Sequence, residues 1–267
     1  NLIKNENDIQ IGLMHAEYFA GIAKYDFGSI SKRIDDKSSF GFSFLRFGVD
    51  NIPNTSELID AQGNVNYDRV SYFSAADLAF IGSYARKLNK YLSVGGSAKI
   101  INRKAGDFAS AWGFGIDLSS TYSKNDWSFA LVAKDITSTF NVWKYQLSNE
   151  MISTFISTGN ELPQNGIELT LPKLILGASK EFHLKNNINF LIELNTDIST
   201  DGKRNVLISG NPFSIDPHFG AEISVKNIVF IRAGVGNIQK TPDLTNKIVY
   251  TIQPNLGLGI NIKGIEI

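Results

Sequence analysis

The sequence predicts an all-β protein, and within that class a transmembrane up-and-down antiparallel β-barrel, from three observations. First, residues 187–199 alternate almost without error, with Ile188, Phe190, Ile192, Leu194 and Ile198 against Asn187, Asn189, Glu193, Asn195 and Asp197. Period two marks a strand with one apolar and one polar side. Second, the alternation runs longer than the usual globular strand of roughly 5–6 residues, and about a dozen similar segments follow one another. At about 3.3 Å per residue and a tilt of about 45°, 12 residues rise roughly 28 Å, close to the hydrocarbon thickness of a bilayer. Third, short and long links alternate down the chain, as in barrels with tight turns at one rim and loops at the other.

The strands are expected at 8–15, 23–33, 38–47, 75–88, 91–103, 111–122, 127–137, 173–184, 187–199, 216–226, 228–237 and 251–263. Each has a facing. Leu78, Phe80, Tyr84 and Leu88 oppose Asp77, Ala79, Ser83 and Lys87. Trp112, Phe114, Ile116 and Leu118 oppose Gly113, Gly115, Asp117 and Ser119. Near the end, Leu256, Leu258, Ile260 and Ile262 oppose Asn255, Gly257, Gly259 and Asn261. Tight links fall at 35–37, 89–90, 123–126, 185–186 and 226–227, rich in Asn, Asp and Lys as hairpin turns are. Longer links fall at 16–22, 48–74, 104–110, 138–172, 200–215 and 238–250. Twelve strands would leave both ends at the turn rim. A new alternation starts at Ile265 and Ile267, so about 14 strands are expected in the intact protein, in one domain over 1–267. Trp127, Tyr91 and Tyr122 would lie near the turns and Trp112 near the loops, where aromatic girdles sit. The competing reading is a soluble sandwich with the apolar face in its core.

Composition excludes several classes. Lys+Arg and Asp+Glu are both 26, so nothing favours nucleic acid. No run nears the roughly 18 apolar residues of a membrane helix. A barrel hides its hydrophobicity in alternation, and mean hydropathy here is -0.07. Eighteen Phe suit a lipid-facing band. The absence of Cys removes disulfides, thiolate metal sites and cysteine nucleophiles. An Asn1 start without a signal peptide is what a mature or truncated export product would show.

No enzyme, cofactor or metal site is expected. His15, His183 and His218 lie on separate strands without ligand spacing. Residues 60–68 and 197–205 are oxygen-rich but lack the calcium-loop pattern with its terminal Glu. Gly113-Phe-Gly115, Gly234-Val-Gly236 and Gly257-Leu-Gly259 lie inside strands, where they thin the wall rather than cradle phosphate. The polar face carries Asp77, Lys99, Arg103, Asp117, Lys134, Glu181, Glu193, Asp197, Glu222 and Arg232, mixed in sign. A paired network fits better than an ion-selective ring.

The candidate binding residues are in two loops. In 138–172, Leu147, Met151, Ile152, Phe155 and Ile156 fall at helical spacing, with Ser148, Asn149 and Glu150 on the other side and 158–160 ending the helix. Such a helix either caps the barrel mouth or docks a partner or greasy ligand. In 48–74, Ile52, Leu58 and Tyr67 could form the same rim.

Several stretches, HAEYFAG at 15–21, GDFASAWGFGID at 106–117, KDITSTFNVW at 134–143, LPKLILGA at 171–178 and DGKRN at 201–205, resemble the PorV/PorQ family of Bacteroidota outer-membrane proteins. That family is related to the FadL long-chain fatty-acid transporters. The resemblance spans nearly the whole chain. It implies a 14-stranded FadL-like barrel in the cell outer membrane, in contact with its lipid. It also implies a non-enzymatic role in type IX protein secretion, receiving cargo with a C-terminal signal domain from the translocon. Partners would then be translocon subunits or secreted cargo. FadL-like uptake of hydrophobic small molecules, with a lipid or detergent-like ligand in the barrel, is the alternative, and a structural subunit of an envelope complex is a third. Two departures are the N-terminal plug, of which little or nothing precedes Asp8, and the closing C-terminal hairpin. No cargo-contact motif transfers residue by residue.

Overall fold

The computed structural model describes residues 8–56, 58–59, 63–262 and 264–267. Its strands are β1 (Ile9–Tyr18), β2 (Ala23–Arg33), β3 (Ser38–Asn54), β4 (Ser71–Lys87), β5 (Leu92–Ala105), β6 (Ala109–Lys124), β7 (Trp127–Lys134) and β8 (Thr139–Tyr145). After the helix α1 (Asn149–Ser157) come β9 (Gly166–Thr170), β10 (Lys173–Leu184), β11 (Ile188–Ser199), β12 (Ser214–Val225), β13 (Val229–Pro242), β14 (Ile248–Ile262) and β15 (Ile265–Glu266). The pairing path runs from β1 to β7 and on through β10 to β15, each strand beside its neighbour, with β8 paired to β6 and β9. The strand pairs are antiparallel, for example with Ile9 opposite Lys32 and Ile188 opposite Val225. The expected all-β, up-and-down antiparallel architecture is the one found.

Tight links follow from backbone chirality. Asn125 and Asp126, Asn186 and Asn187, and Lys226 and Asn227 all have φ between 49° and 64°. Consecutive left-handed residues belong to type I′ turns, whose twist matches that of the flanking strands. Asn and Asp tolerate this region better than other side chains with a Cβ.

The long links differ from expectation. Residues 138–172 are not one loop: β8 and β9 occupy both ends of it, paired from Thr139 opposite Thr170 to Trp143 opposite Gly166. The strand expected at 127–137 stops at Lys134, and φ is 55° at both Asp135 and Ser138. Those residues break the alternation, which resumes in β8. The links expected at 104–110 and 238–250 shrink to 106–108 and 243–247, because the flanking strands continue their ladders. Loop lengths therefore alternate less strictly than the sequence suggests.

The chain divides into two compact units: Asn1–Ala85, Ser97–Ile116 and Ser138–Thr170, and Arg86–Gly96, Asp117–Thr137 and Leu171–Ile267. Each is built inside out relative to a soluble protein. In the first, Leu13 is 85% exposed, with Ile9, Ile11, Phe40 and Phe42 also on the surface, while Ser38, Ser39, Lys99, Thr139 and Asn141 are buried. In the second, Leu256 and Leu258 are 89% and 79% exposed, while Ser199, Ser214 and Ser224 are buried. The buried apolar residues among those described are only Ala23, Ala109 and Ala111. A sandwich core would hide the leucines and wet the serines. The reverse is found, which suits an apolar face in contact with hydrocarbon. No described helix is long and apolar enough to cross a membrane.

The polar faces are cross-linked. In the second unit, Lys173 Nζ donates to Asp197 at 2.6 Å, and Arg232 bridges Glu222 at 2.5 Å and Glu266 at 3.0 Å. In the first, Arg103 holds Asp77 at 2.9 Å. The glycine doublets make room for such side chains. A Cβ on Gly115 would collide with Thr139 Oγ1 and lie 2.7 Å from Lys99 Cε, and one on Gly113 would collide with Asn141 Oδ1.

Gly115→Ala should lower stability by about 1–3 kcal/mol, the range for overpacking, read as a shift in the urea unfolding midpoint. Gly82→Ala, where nothing lies within 4 Å of the added methyl, should be near neutral.

Candidate functional site

The loop segment between β8 and β9 carries α1. Ser148 caps the helix by accepting from Met151 N at 3.2 Å, satisfying one of its free amides. The carboxyl of Glu150 is held below the usual range, first by its own backbone N–H and then by the Ser148 hydroxyl. At the other end, Gly159 has φ 71°, and Asn160 N donates to Phe155 O at 2.9 Å. The helix thus ends within the expected 158–160. Leu147, Met151, Ile152 and Phe155 are half-buried, whereas Ile156 is 66% exposed. The remaining face, Asn149, Glu150, Ser153 and Ser157, is exposed.

The mount of α1 is rigid. Its hairpin is clamped where Arg103 Nη1 donates to both carboxylate oxygens of Glu168, at 3.0 and 2.9 Å, while Arg103 Nε reaches Asp77. Trp143 Nε1 donates to Glu168 Oε2 at 2.7 Å, and the guanidinium lies 5.0 Å above the Trp143 ring. A guanidinium shared between two carboxylates and stacked on a ring is fixed in orientation as well as in energy. They tie β8 and β9 to β4 and β5.

The two candidate loops meet at one hydrogen bond. Thr154 Oγ1 lies 2.9 Å from Ser56 O and 3.0 Å from Glu150 O. Ser56 belongs to the β3–β4 link, where Ser56 N donates to Asn54 Oδ1 at 3.0 Å. Further along, Ile59 bridges Val65, and Asn66 Oδ1 caps a single turn at Tyr67–Arg69. Leu58 is half-buried and Tyr67 is 77% exposed, with Ile59 and Val65 also on the surface. Leu58 and Tyr67 therefore sit on the link that is tied to the helix. Ile52 does not lie in a loop: it belongs to the extension of β3 and lines a hollow of about 410 Å³ with Ile22, Lys24, Val49 and Asp50. Sequence reasoning assigned no role to Ile208, Phe213 and Leu244, exposed apolar residues in the 200–213 and 243–247 loops of the second unit. Apolar residues inside otherwise polar links were the available signal.

Several other groups have structural roles. The 201–205 stretch is folded on itself: the Arg204 guanidinium forks onto the Asp201 carboxylate, with Nε to Oδ1 at 2.8 Å. Buried Ser214 donates to Gly202 O at 2.8 Å and accepts from Arg204 N at 3.1 Å. The 60–68 stretch lies partly outside the described residues. His15 pairs with Asp26 at 2.7 Å, His183 with Asn189 at 2.9 Å, and His218 lies 3.5 Å from Asp216. Among the described residues no three His, Asp or Glu side chains gather as a metal site would need. A second hollow, about 370 Å³, is lined by the hydroxyls of Ser29, Ser31, Ser43 and Ser83 together with Phe27 and Ile30.

No protein-family model and no curated protein matches the chain. Among solved structures, it is similar to a Pseudomonas aeruginosa FadL homologue, at 12% identity and TM-score 0.47, over 91% of this chain and 67% of that one. It is also similar to the Pseudomonas aeruginosa ferric enterobactin receptor PfeA, in a G324V mutant, at 9% identity and TM-score 0.39, over 96% and 42%. A third likeness is to CdiB from Acinetobacter baumannii, at 8% identity and TM-score 0.39, over 88% and 50%. The chain thus spans about two thirds of the first of these proteins and half or less of the other two.

Thr154→Val should release the helix from the β3–β4 link. Amide exchange across 149–157 should quicken by about fivefold, as for a hydrogen bond of about 1 kcal/mol, without loss of strand content. In the second unit, Arg204 holds the Asp201 carboxyl below its usual range, chiefly through their hydrogen bond. A depressed folded value stabilises the loop above the unfolded pKa of about 4 and loses that contribution as pH falls through the folded one. Asp201→Asn should therefore speed exchange in 202–213 at neutral pH, and the difference from the parent chain should vanish in acid.

Proposed function

We propose that the chain is a non-enzymatic outer-membrane β-barrel of the type IX secretion system that binds secreted cargo or a translocon subunit at its loop end. The observation that carries this reading is the mounted helix. An α-helix with exposed Ile156 stands on a hairpin clamped by Arg103 and Glu168, next to a link that exposes Ile59, Val65 and Tyr67. Apolar side chains held out into solvent on a braced support are what a protein docking site requires. The resemblance of 15–21, 106–117, 134–143, 171–178 and 201–205 to the PorV/PorQ family supplies the secretion context. The outer-membrane location is supported by the exposed leucines of both units, which need hydrocarbon around them.

Uptake of hydrophobic small molecules is the second reading. The 410 Å³ hollow, with Ile22, Val49, Ile52 and Pro53 in its lining, favours it. Against it, the 370 Å³ hollow sets four serine hydroxyls and Gln10 beside Phe27 and Ile30, so a hydrocarbon chain there would meet polar groups it cannot hydrogen-bond.

Ile156→Asp combined with Tyr67→Ala should weaken partner capture by about 30-fold, the scale of a hot spot worth about 2 kcal/mol, while the barrel still inserts. Pull-down from native membranes should recover secretion components or signal-bearing cargo with the parent chain and lose them with the variant. Recovery of the parent barrel alone would overturn the reading. Deleting 147–156 should also stop cargo delivery; a purely structural subunit would tolerate it.

A further inference from the structure

At the turn end of the second unit, cations and rings share one row across the β4–β5 link and strands β6, β7 and β10. Lys124, Trp127 and Lys180 are direct cross-strand partners, so they share a face and lie side by side along the ladder. By the same register this face carries Tyr122, Phe129, Leu131 and Leu176, all exposed. The row extends through Tyr91, whose ring lies 6.0 Å from that of Tyr122. Each lysine lies over a ring: Lys90 and Lys124 over Tyr91 at 4.7 and 5.3 Å, and Lys180 over Trp127 at 5.1 Å and Phe182 at 4.8 Å.

The lysines of this row rest on rings and not on carboxylates. None of Lys90, Lys124 and Lys180 forms an ion pair among the described residues. Two carboxylates at these strand ends turn to His183 instead, Asp126 at 3.5 Å and Glu181 at 4.0 Å. A cation resting on an aromatic face keeps its positive charge available to a further anion. Away from the turns the face is leucine, a surface for hydrocarbon; toward them β6 and β7 end in a turn at the row itself, and β10 runs on for one more turn-side pair, Phe182 and Leu184, before its own turn. That boundary is the depth of lipid headgroups, where lysine stems lie along apolar surface and send the ammonium outward. A soluble partner would match the charge but not the leucine face that continues from it.

We propose that Lys90, Lys124 and Lys180, set among Tyr91, Tyr122 and Trp127, form a binding row for the phosphate headgroups of anionic phospholipid in the leaflet next to the turns. It is independent of the docking role of α1 and rests only on the membrane placement of the apolar face.

The test places the chain in vesicles of phosphatidylcholine containing brominated phosphatidylglycerol or brominated phosphatidylcholine, with Trp112→Phe and Trp143→Phe leaving Trp127 as the reporter. Trp127 should be quenched more by the anionic lipid at equal mole fraction. The preference should be about fivefold per engaged lysine, on the scale of a basic residue near an anionic surface. Lys124→Gln and Lys180→Gln should each reduce it, the triple glutamine variant should abolish it, and high salt should erode it in the unsubstituted chain. Equal quenching by both lipids, a preference that survives the triple variant, or one indifferent to salt would overturn the proposal. No quenching by either lipid would remove the apolar face from the bilayer, and the proposal with it.

Discussion

Strand-to-strand hydrogen bonding between sequence neighbours is the constraint on which this structure depends. In hydrocarbon each backbone N–H and C=O has to find its partner within the protein. Neighbour-to-neighbour antiparallel ladders meet that demand with the shortest connections. They fix the other features in turn. Long strands must twist, so their tight links use left-handed pairs such as Asn186 and Asn187. One face is given to apolar side chains, so every charge within the span must sit on the other and find a counter-charge there. Glycine at Gly113 and Gly115 then becomes a spatial requirement, because Asn141, Thr139 and Lys99 fill the volume their side chains would take.

Near the loops the first unit departs from this scheme on the leucine-bearing face. His15, Asp26 and Arg46 follow Leu13, Gly28 and Phe44 on the same side of β1, β2 and β3. They are linked by a 2.7 Å contact from His15 to Asp26 and a 3.6 Å contact from Arg46 to Asp26. Paired charges at this height mark where the apolar band stops. The row at the turn end of the second unit marks a boundary differently, with unpaired lysines on rings. Each unit thus shows a polar limit that a leucine count alone would not locate.

Strand positions and facings were legible in the sequence because period two survives any number of substitutions that keep polarity. Leu256, Leu258, Ile260 and Ile262 are all exposed as their alternation implies. β8 escaped because left-handed Asp135 and Ser138 interrupt the phase just before it, and a strand that restarts out of step reads as a loop. β9 escaped because it is brief and follows that loop. The helix was legible from the spacing of Met151, Ile152, Phe155 and Ile156. Its attachment was not: Thr154 meets a backbone carbonyl of Ser56, and an acceptor common to all residues leaves no mark in the sequence. The Arg103 clamp likewise joins residues far apart in the chain through side chains that alone suggest only mixed charge. Local period encodes the wall; long-range polar contacts place the site.

The exposure of Leu13, Leu256 and Leu258 also bears on what stability means for this chain. A folded form bearing those side chains in water would lose the burial that normally opposes chain entropy. On the proposed membrane placement, lipid or detergent is a component of the folding equilibrium and enters it by mass action, as any ligand of the native state does. A free energy of unfolding measured in one amphiphile belongs to that pair of substances. Changing acyl length or headgroup shifts the midpoint with no change in sequence, and the chain alone has no melting temperature to report.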